Sequence, residues 1–207
     1  IGHPGKNLPG KAHLLPQALG SLEGIECSHE IVILDDYSAD GTRTIIGPLM
    51  KKNDHIRYVR RPENLGRHRN FNEALPEVKG KFVAWLDDDD MAKPGNYDRK
   101  AKILRENPEI DLVYSLYDGL GPNGGRFPLP RRIEHVDHDY IGGRDEFRDL
   151  ITGNYIGGPT VMFRRKLWEE YGGYDTDLPQ TLSDWDLWLR YTDKADTAFI
   201  NEPLVAV

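Results

Sequence analysis

Four consecutive aspartates, Asp87, Asp88, Asp89 and Asp90, follow directly on the apolar run 82–86 (FVAWL). Adjacent carboxylates repel one another, which costs stability unless a cation or hydrogen bonds compensate. If the chain stays extended past this run, residues two apart point to the same side. Asp87 and Asp89 then share one face, and Asp88 and Asp90 the other. Two carboxylates completed by substrate phosphates are the usual protein share of a magnesium or manganese site. A bare acidic run is more often a solvated loop. This one stands at the end of a buried strand, where α/β folds place their ligands. The expectation is a divalent cation, Mn2+ or Mg2+, at Asp87 and Asp89.

A second acidic segment, 35–42 (DDYSADGT), also leaves the end of an apolar run. Asp, Ser and Gly are ordinary turn and cap residues, so alone it is structural. Paired with another acidic strand end, it becomes a candidate for contacts to a nucleotide's base or ribose. Arg67, His68 and Arg69 open a predicted helix, where guanidinium groups and the helix N-terminus both favour a phosphate. A solvated basic face paired with the aspartates explains them equally well. In 183–190 (SDWDLWLR) Asp184 and Asp186 point to nearly opposite sides of a helix and cannot act as a pair. Asp186 and Arg190 are four apart and read as an intrahelical ion pair. Asp184, in the first turn, is either a dipole-stabilised carboxylate or a general base at a pocket mouth, and spacing favours the former. The histidines and Cys27 have no metal-ligand spacing, and neither a Gly-x-Ser-x-Gly elbow nor a phosphate loop is present.

These residues need strand ends and helix starts to hold them, and the pattern supplies both. Apolar strand-length runs at 31–34, 56–59, 82–86, 112–114 and 160–163 alternate with helical patterns at 11–22, 67–78, 166–171 and 183–191. That alternation predicts a layered α/β fold. Gly47-Pro48 predicts only a short helix after Thr42, and Pro94-Gly95 a restart into a helix ending near Asn107-Pro108. Gly119 to Gly125 reads as a hairpin turn, 131–143 as a loop, and Ser183 as a helix cap.

With 207 residues, 38% of them hydrophobic, the chain can bury one core, and it carries no repeat or linker. A net charge of -7 argues against a nucleic-acid surface, so positive charge for an anionic substrate must come from a metal or a few arginines. One cysteine fits a reducing compartment, hence a cytoplasmic protein, at most peripheral to the inner face of a membrane. No apolar run is long enough to span a bilayer. Both ends read as cut.

Taken in order, EIVILDDYSADGT (30–42), NLGRHRN (64–70), FVAWLDDDD (82–90) and SDWDLWLR (183–190) resemble the family 2 glycosyltransferases. The resemblance runs from about residue 14 to 204. It implies the α/β GT-A fold, a Rossmann-like mixed, mainly parallel sheet flanked by helices in a single domain. The donor-binding part would be about 1–116 and the acceptor and catalytic-base part about 117–207. It implies that Asp36 meets the nucleotide base, that Asp87 and Asp89 form a metal-binding Asp-x-Asp, and that Asp88 lies near the donor sugar or ribose. Arg69 falls in the helix beside the nucleotide. Asp184 becomes the catalytic base, against the reading from spacing alone. The implied reaction is an inverting transfer from a nucleotide-diphosphate sugar, UDP- or dTDP-linked, to a carbohydrate, lipid-linked or protein acceptor, as in polysaccharide biosynthesis. Nucleic acid is not an expected partner. Two departures stand out. Only Ile1-Gly2-His3-Pro4 and Leu8-Pro9-Gly10 stand where the family has an apolar strand and a Pro-x-Tyr-Asn-like turn. The chain also stops before a histidine that often serves as a further metal ligand. A nucleotidyltransferase of similar fold, and a non-catalytic sugar-nucleotide or metal-binding module, are the alternatives.

Overall fold

A computed structural model describes residues 11–121, 125–128 and 138–207. The opening segments at Ile1 and Leu8 lie outside the described residues, as do 131–137 of the expected loop. After a 3-10 turn, Lys11–His13, comes α1 (Leu15–Gly20), then β1 (Ile31–Asp35), α2 (Thr42–Lys52), β2 (Ile56–Arg60) and α3 (Arg67–Asn72). There follow β3 (Phe82–Ala84), β4 (Met91–Ala92), α4 (Asn96–Glu106), β5 (Ile110–Leu120) and β6 (Arg126–Pro128). The chain continues through β7 (Tyr140–Ile141), α5 (Glu146–Leu150), β8 (Met162–Arg164), α6 (Arg165–Tyr171), α7 (Gln180–Thr192) and β9 (Asp196–Ala206).

The strands are mixed in direction. β1 and β2 form a parallel pair, and a seven-stranded sheet runs β3-β8-β5-β9-β4, with β6 on β5 and β7 on β9. The two longest ladders, β1/β2 and β5/β9, are parallel; the shorter ladders among the described residues are antiparallel. Successive strand residues face opposite sides, and the central strands feed two cores. Leu112, Tyr114, Phe163 and Phe199 join Leu150, Leu167, Trp168, Leu187 and Trp188 from α5, α6 and α7 on one face. Val113, Met162, Ala198 and Ile200 join Ala101 and Leu104 of α4 on the other. Burial on both faces explains why these strands are apolar runs rather than alternating ones.

Several elements differ from the sequence reading. α2 runs on through Pro48 to Lys52. A proline inside a helix costs about 3 kcal/mol, and the helix is kept by burying Ile46 completely. The 67–78 helix is two pieces, α3 and a 3-10 turn Leu75–Glu77 around Pro76. β3 ends at Ala84, because Trp85 leaves the ladder and stacks on Trp188 with ring centroids 5.5 Å apart. Tyr140 and Ile141, expected in a loop, pair with β9. β9 itself was not evident from its sequence: Asn201-Glu202-Pro203 interrupts it, and the β5/β9 register shifts there. The hairpin at Gly119 is present as the β5/β6 pair.

Candidate active site

The carboxyl end of β1 is a knot of hydrogen bonds. Asp35 is 3% exposed; its Oδ1 accepts the Ser38 N–H at 2.7 Å, and its Oδ2 accepts the Tyr58 hydroxyl and faces Arg60 Nε at 3.4 Å. Burial alone raises its pKa, but the bonds from Tyr58 and Ser38 and the Arg60 charge outweigh it and hold the carboxyl below its ordinary value. Asp36 is fully buried, and its two oxygens accept the backbone N–H groups of Leu65 at 2.7 Å and Gly66 at 2.8 Å. In this structure the Asp36 carboxylate holds the loop that starts α3. Gly66, at φ 81°, turns the chain into that helix.

α3 therefore begins at a fixed point, and its first residue is Arg67. The Arg67 guanidinium donates to Asp87 Oδ2 at 2.8 Å. Burial works against its charge, but Asp87 first, then Tyr174, Asp184 and Asp90, keep its pKa above the ordinary value. Arg69, the residue singled out by the resemblance, lies on the exposed side of the helix. The same helix turns His68 and Asn70 inward; His68 stacks on Tyr174 at 4.9 Å, and burial followed by the Arg67 charge lowers its pKa.

The acidic run closes as a turn, with the Asp90 N–H bonded to the Asp87 carbonyl at 3.2 Å. Two-residue alternation requires extended backbone, so the expected division of Asp87 and Asp89 from Asp88 and Asp90 does not describe it. Asp87 meets Arg67, Asp90 is buried, and Asp87, Asp88 and Asp89 are half-buried. Asp89 lines a cleft of about 260 Å³ together with Asp90, Gln17, Ala18, Leu120 and Val207. Asp87 is not among that cleft's walls. Among the described residues no three His, Cys, Asp or Glu side chains converge as a metal centre. Any cation at Asp87 or Asp89 would need substrate phosphates to complete its ligand set.

α7 starts at Gln180 rather than Ser183, so Ser183 does not cap it; its hydroxyl bonds back to the Gln180 carbonyl at 2.8 Å. Asp184 accordingly lies beyond the first turn, where the helix dipole no longer accounts for it. Its Oδ1 instead accepts the Tyr174 hydroxyl at 2.8 Å. Burial, then the Asp184 charge, raises the Tyr174 phenol far above its ordinary pKa, so it stays a donor. Asn72 of α3 clamps Tyr174 by its backbone, donating to its carbonyl and accepting from its N–H, both at 2.8 Å. Asp186 forms the expected pair with Arg190 at 2.8 Å.

Arg67 thus binds Asp87 and feels the charge of Asp184, which Tyr174 holds by its hydroxyl. Asp36 stands one loop away, and Arg69 is turned out. Tyr174 and Arg67's particular role were not legible beforehand: Gly172-Gly173-Tyr174-Asp175 matches no motif, and nothing local distinguishes Arg67 from Arg69.

The family model described as "Glycosyl transferase family 2" matches residues 10–172. A putative teichuronic acid biosynthesis glycosyltransferase, TuaG, of Bacillus subtilis is 30% identical over 176 residues, covering 84% of this chain and 65% of that protein. The chain spans about half to two thirds of the length of the first curated relatives it matches. Among solved structures, TarS residues 1–349 of S. aureus in complex with UDP-GlcNAc superposes with a TM-score of 0.71. It is 20% identical, covering 95% of this chain and 55% of that one. The mannosyltransferase PcManGT of Pyrobaculum calidifontis, in complex with GDP-Man and Mn2+, gives a TM-score of 0.67 at 17% identity, with 95% and 53% covered. At these identities the structures speak for the GT-A fold, and the family match covers most of the chain. The chain belongs to glycosyl transferase family 2.

Proposed function

We propose that this chain transfers a sugar from a nucleotide-diphosphate sugar to an acceptor hydroxyl, with inversion at the anomeric carbon and Asp184 as general base. The observation that carries the reading is that Asp184, oriented by Tyr174, lies within the electrostatic reach of Arg67, the guanidinium that binds Asp87. An anionic donor seated by Arg67 would place its sugar beside a carboxylate already oriented by Tyr174. Asp184 would take the proton of the attacking hydroxyl as the bond to the diphosphate breaks. A single displacement from the opposite face inverts the configuration.

A divalent cation fits here as substrate-completed ligation by Asp87 and Asp89, and when bound it neutralises charge on the leaving diphosphate. Arg67 would then exchange its bond to Asp87 for one to phosphate. The complex of PcManGT with GDP-Man and Mn2+ supports testing manganese first. Asp88 is the candidate for the donor sugar or ribose. Asp36 acts in this reading through the loop it holds, shaping the wall for the base. The segment up to about residue 116 serves the donor and the remainder the acceptor. UDP-GlcNAc and GDP-mannose, bound by structural neighbours, are the first donors to try, followed by dTDP sugars. The TuaG relative favours a carbohydrate polymer as acceptor. No helix among the described residues is long and apolar enough to cross a membrane.

The test is a thermal-shift screen of UDP-, GDP- and dTDP-sugars with and without Mn2+, followed by assay of nucleoside diphosphate release. A true donor at 100 times its Kd adds about 2.7 kcal/mol of stability. No shift with any nucleotide sugar rejects the proposal. A shift without any release reduces the chain to a binding module.

A further inference from the structure

The indole of Trp85 has an unusual position. Its Nε1 is shielded from solvent and has no hydrogen-bond partner among the described residues. A buried, unpaired donor costs about 1–3 kcal/mol, so a native fold keeps one for a reason. The ring is held firmly: it stacks on Trp188, with the planes 13° apart, and meets Phe71, Phe163 and Tyr174 edge-on.

The surroundings of Gly158 show what lies beside the indole nitrogen. A Cβ on Gly158 would lie 3.0 Å from Trp85 Nε1 and 3.1 Å from Asp184 Oδ2. The indole nitrogen and the second carboxylate oxygen therefore flank the same small space, which exists because residue 158 has no side chain. Asp184 Oδ1 is already held by Tyr174, whereas no hydrogen bond to Oδ2 is present among the described residues. Hydrogen bonds to a base are often long in an empty site and tighten only when substrate is bound.

We propose that Trp85 is a positioning residue for the base: in the loaded site its indole N–H closes onto Asp184 Oδ2, opposite Tyr174 on Oδ1. Gly158 is the residue that permits the closure. Trp85 also lies two residues before Asp87, so one backbone segment carries both the donor-side acid and this contact. The proposal rests on Asp184 being the base, and the experiment separates the two claims.

Trp85→Phe keeps a ring against Trp188 and removes the N–H. Gly158→Ala fills the space between the two groups. Asp184→Asn removes the base. Each is compared with the wild-type chain for melting temperature, for UDP affinity with Mn2+ by calorimetry, and for kcat and donor KM. The turnover probe is hydrolysis of UDP-GlcNAc or GDP-mannose, with water as acceptor. A hydrogen bond to a charged group is worth enough that Trp85→Phe should lower kcat about tenfold or more. UDP affinity and donor KM should stay within about twofold, and Gly158→Ala should behave in the same way. Wild-type kcat in Trp85→Phe beside an inactive Asp184→Asn overturns the Trp85 proposal alone. Wild-type kcat in Asp184→Asn overturns the base assignment on which it rests. A parallel loss of UDP affinity, donor KM and melting temperature in Trp85→Phe makes the residue structural and also overturns the proposal.

Discussion

Lys100 is 1% exposed in α4, and its amine donates to Asn96 Oδ1 at 2.5 Å. Burial, followed by the nearby Arg99 charge, lowers its pKa from 10.5 to about 7. The direction sets the pH dependence. The folded chain disfavours the protonated amine while the unfolded chain does not, so unfolding takes up a proton between about pH 7 and 10.5. Stability should therefore rise with pH across that window and carry the full cost of the buried charge below it. At roughly 1.36 kcal/mol per pKa unit, the cost near pH 6.5 is about 4–5 kcal/mol. Lys100→Met keeps an unbranched side chain and removes the amine, but leaves Asn96 Oδ1 unpaired at about 1–2 kcal/mol. The variant should be more stable than wild type by about 3 kcal/mol at pH 6.5, roughly 6–12 °C in melting temperature. That advantage should shrink by about 3 kcal/mol at pH 9.5. Urea unfolding of both proteins at the two pH values measures the difference directly, and groups titrating identically in both cancel. A variant that is less stable at pH 6.5, or a difference that does not change with pH, would refute the reasoning.

Other expectations follow from single contacts. Tyr174→Phe deletes the donor to Asp184 Oδ1 but keeps the ring against His68 and Phe71. Turnover should fall about tenfold or more at unchanged UDP affinity, by calorimetry and steady-state assay. Gly173→Ala drives a methyl into Asn72 Oδ1 and breaks the clamp on Tyr174. It should cost about 1–3 kcal/mol by urea unfolding and lower turnover as well. Glu146, 2% exposed, accepts hydroxyl hydrogen bonds from Tyr114, Tyr140, Tyr155 and Thr197. Glu146→Ala leaves those hydroxyls without their shared acceptor, and urea unfolding should show a loss of about 3 kcal/mol or more. A loss below about 1 kcal/mol would mean that water replaces the carboxylate.

What could be read from sequence was what depends on local spacing. The Asp186–Arg190 pair is an i,i+4 contact, so helical periodicity was sufficient. The strand end at Asp35 was likewise marked by an apolar run followed by acids, and β1 with its parallel partner formed where the runs stood, whereas β3 stops at Ala84, short of Asp87. What local spacing could not show depended on partners far along the chain. Asp36 gives both oxygens to backbone amides 29 and 30 residues later, which no local pattern announces. Arg67 and Arg69 are two apart on a helix and face different ways, and only the packing of His68 and Asn70 decides which arginine meets the acids. The acidic run turns where extension was expected, because Trp85 leaves the ladder to stack on Trp188. Tyr174 reaches Asp184 through a loop fixed by Asn72, 102 residues away.

The central claim is that Asp184, rather than Asp186, removes the proton of the acceptor. The two carboxylates lie on one helix and differ in surroundings: Asp184 faces Tyr174 and the field of Arg67, and Asp186 is tied to Arg190. The most direct measurement is sugar transfer or donor hydrolysis by Asp184→Asn and Asp186→Asn at saturating donor and Mn2+, with melting temperatures alongside. Asp184→Asn should stay folded, bind nucleotide and lose roughly 10²-fold or more in rate. Asp186→Asn should keep its rate and lose about 0.5 kcal/mol of stability or less. An active Asp184→Asn beside a folded, inactive Asp186→Asn would contradict the account, and full activity in both would move the base elsewhere.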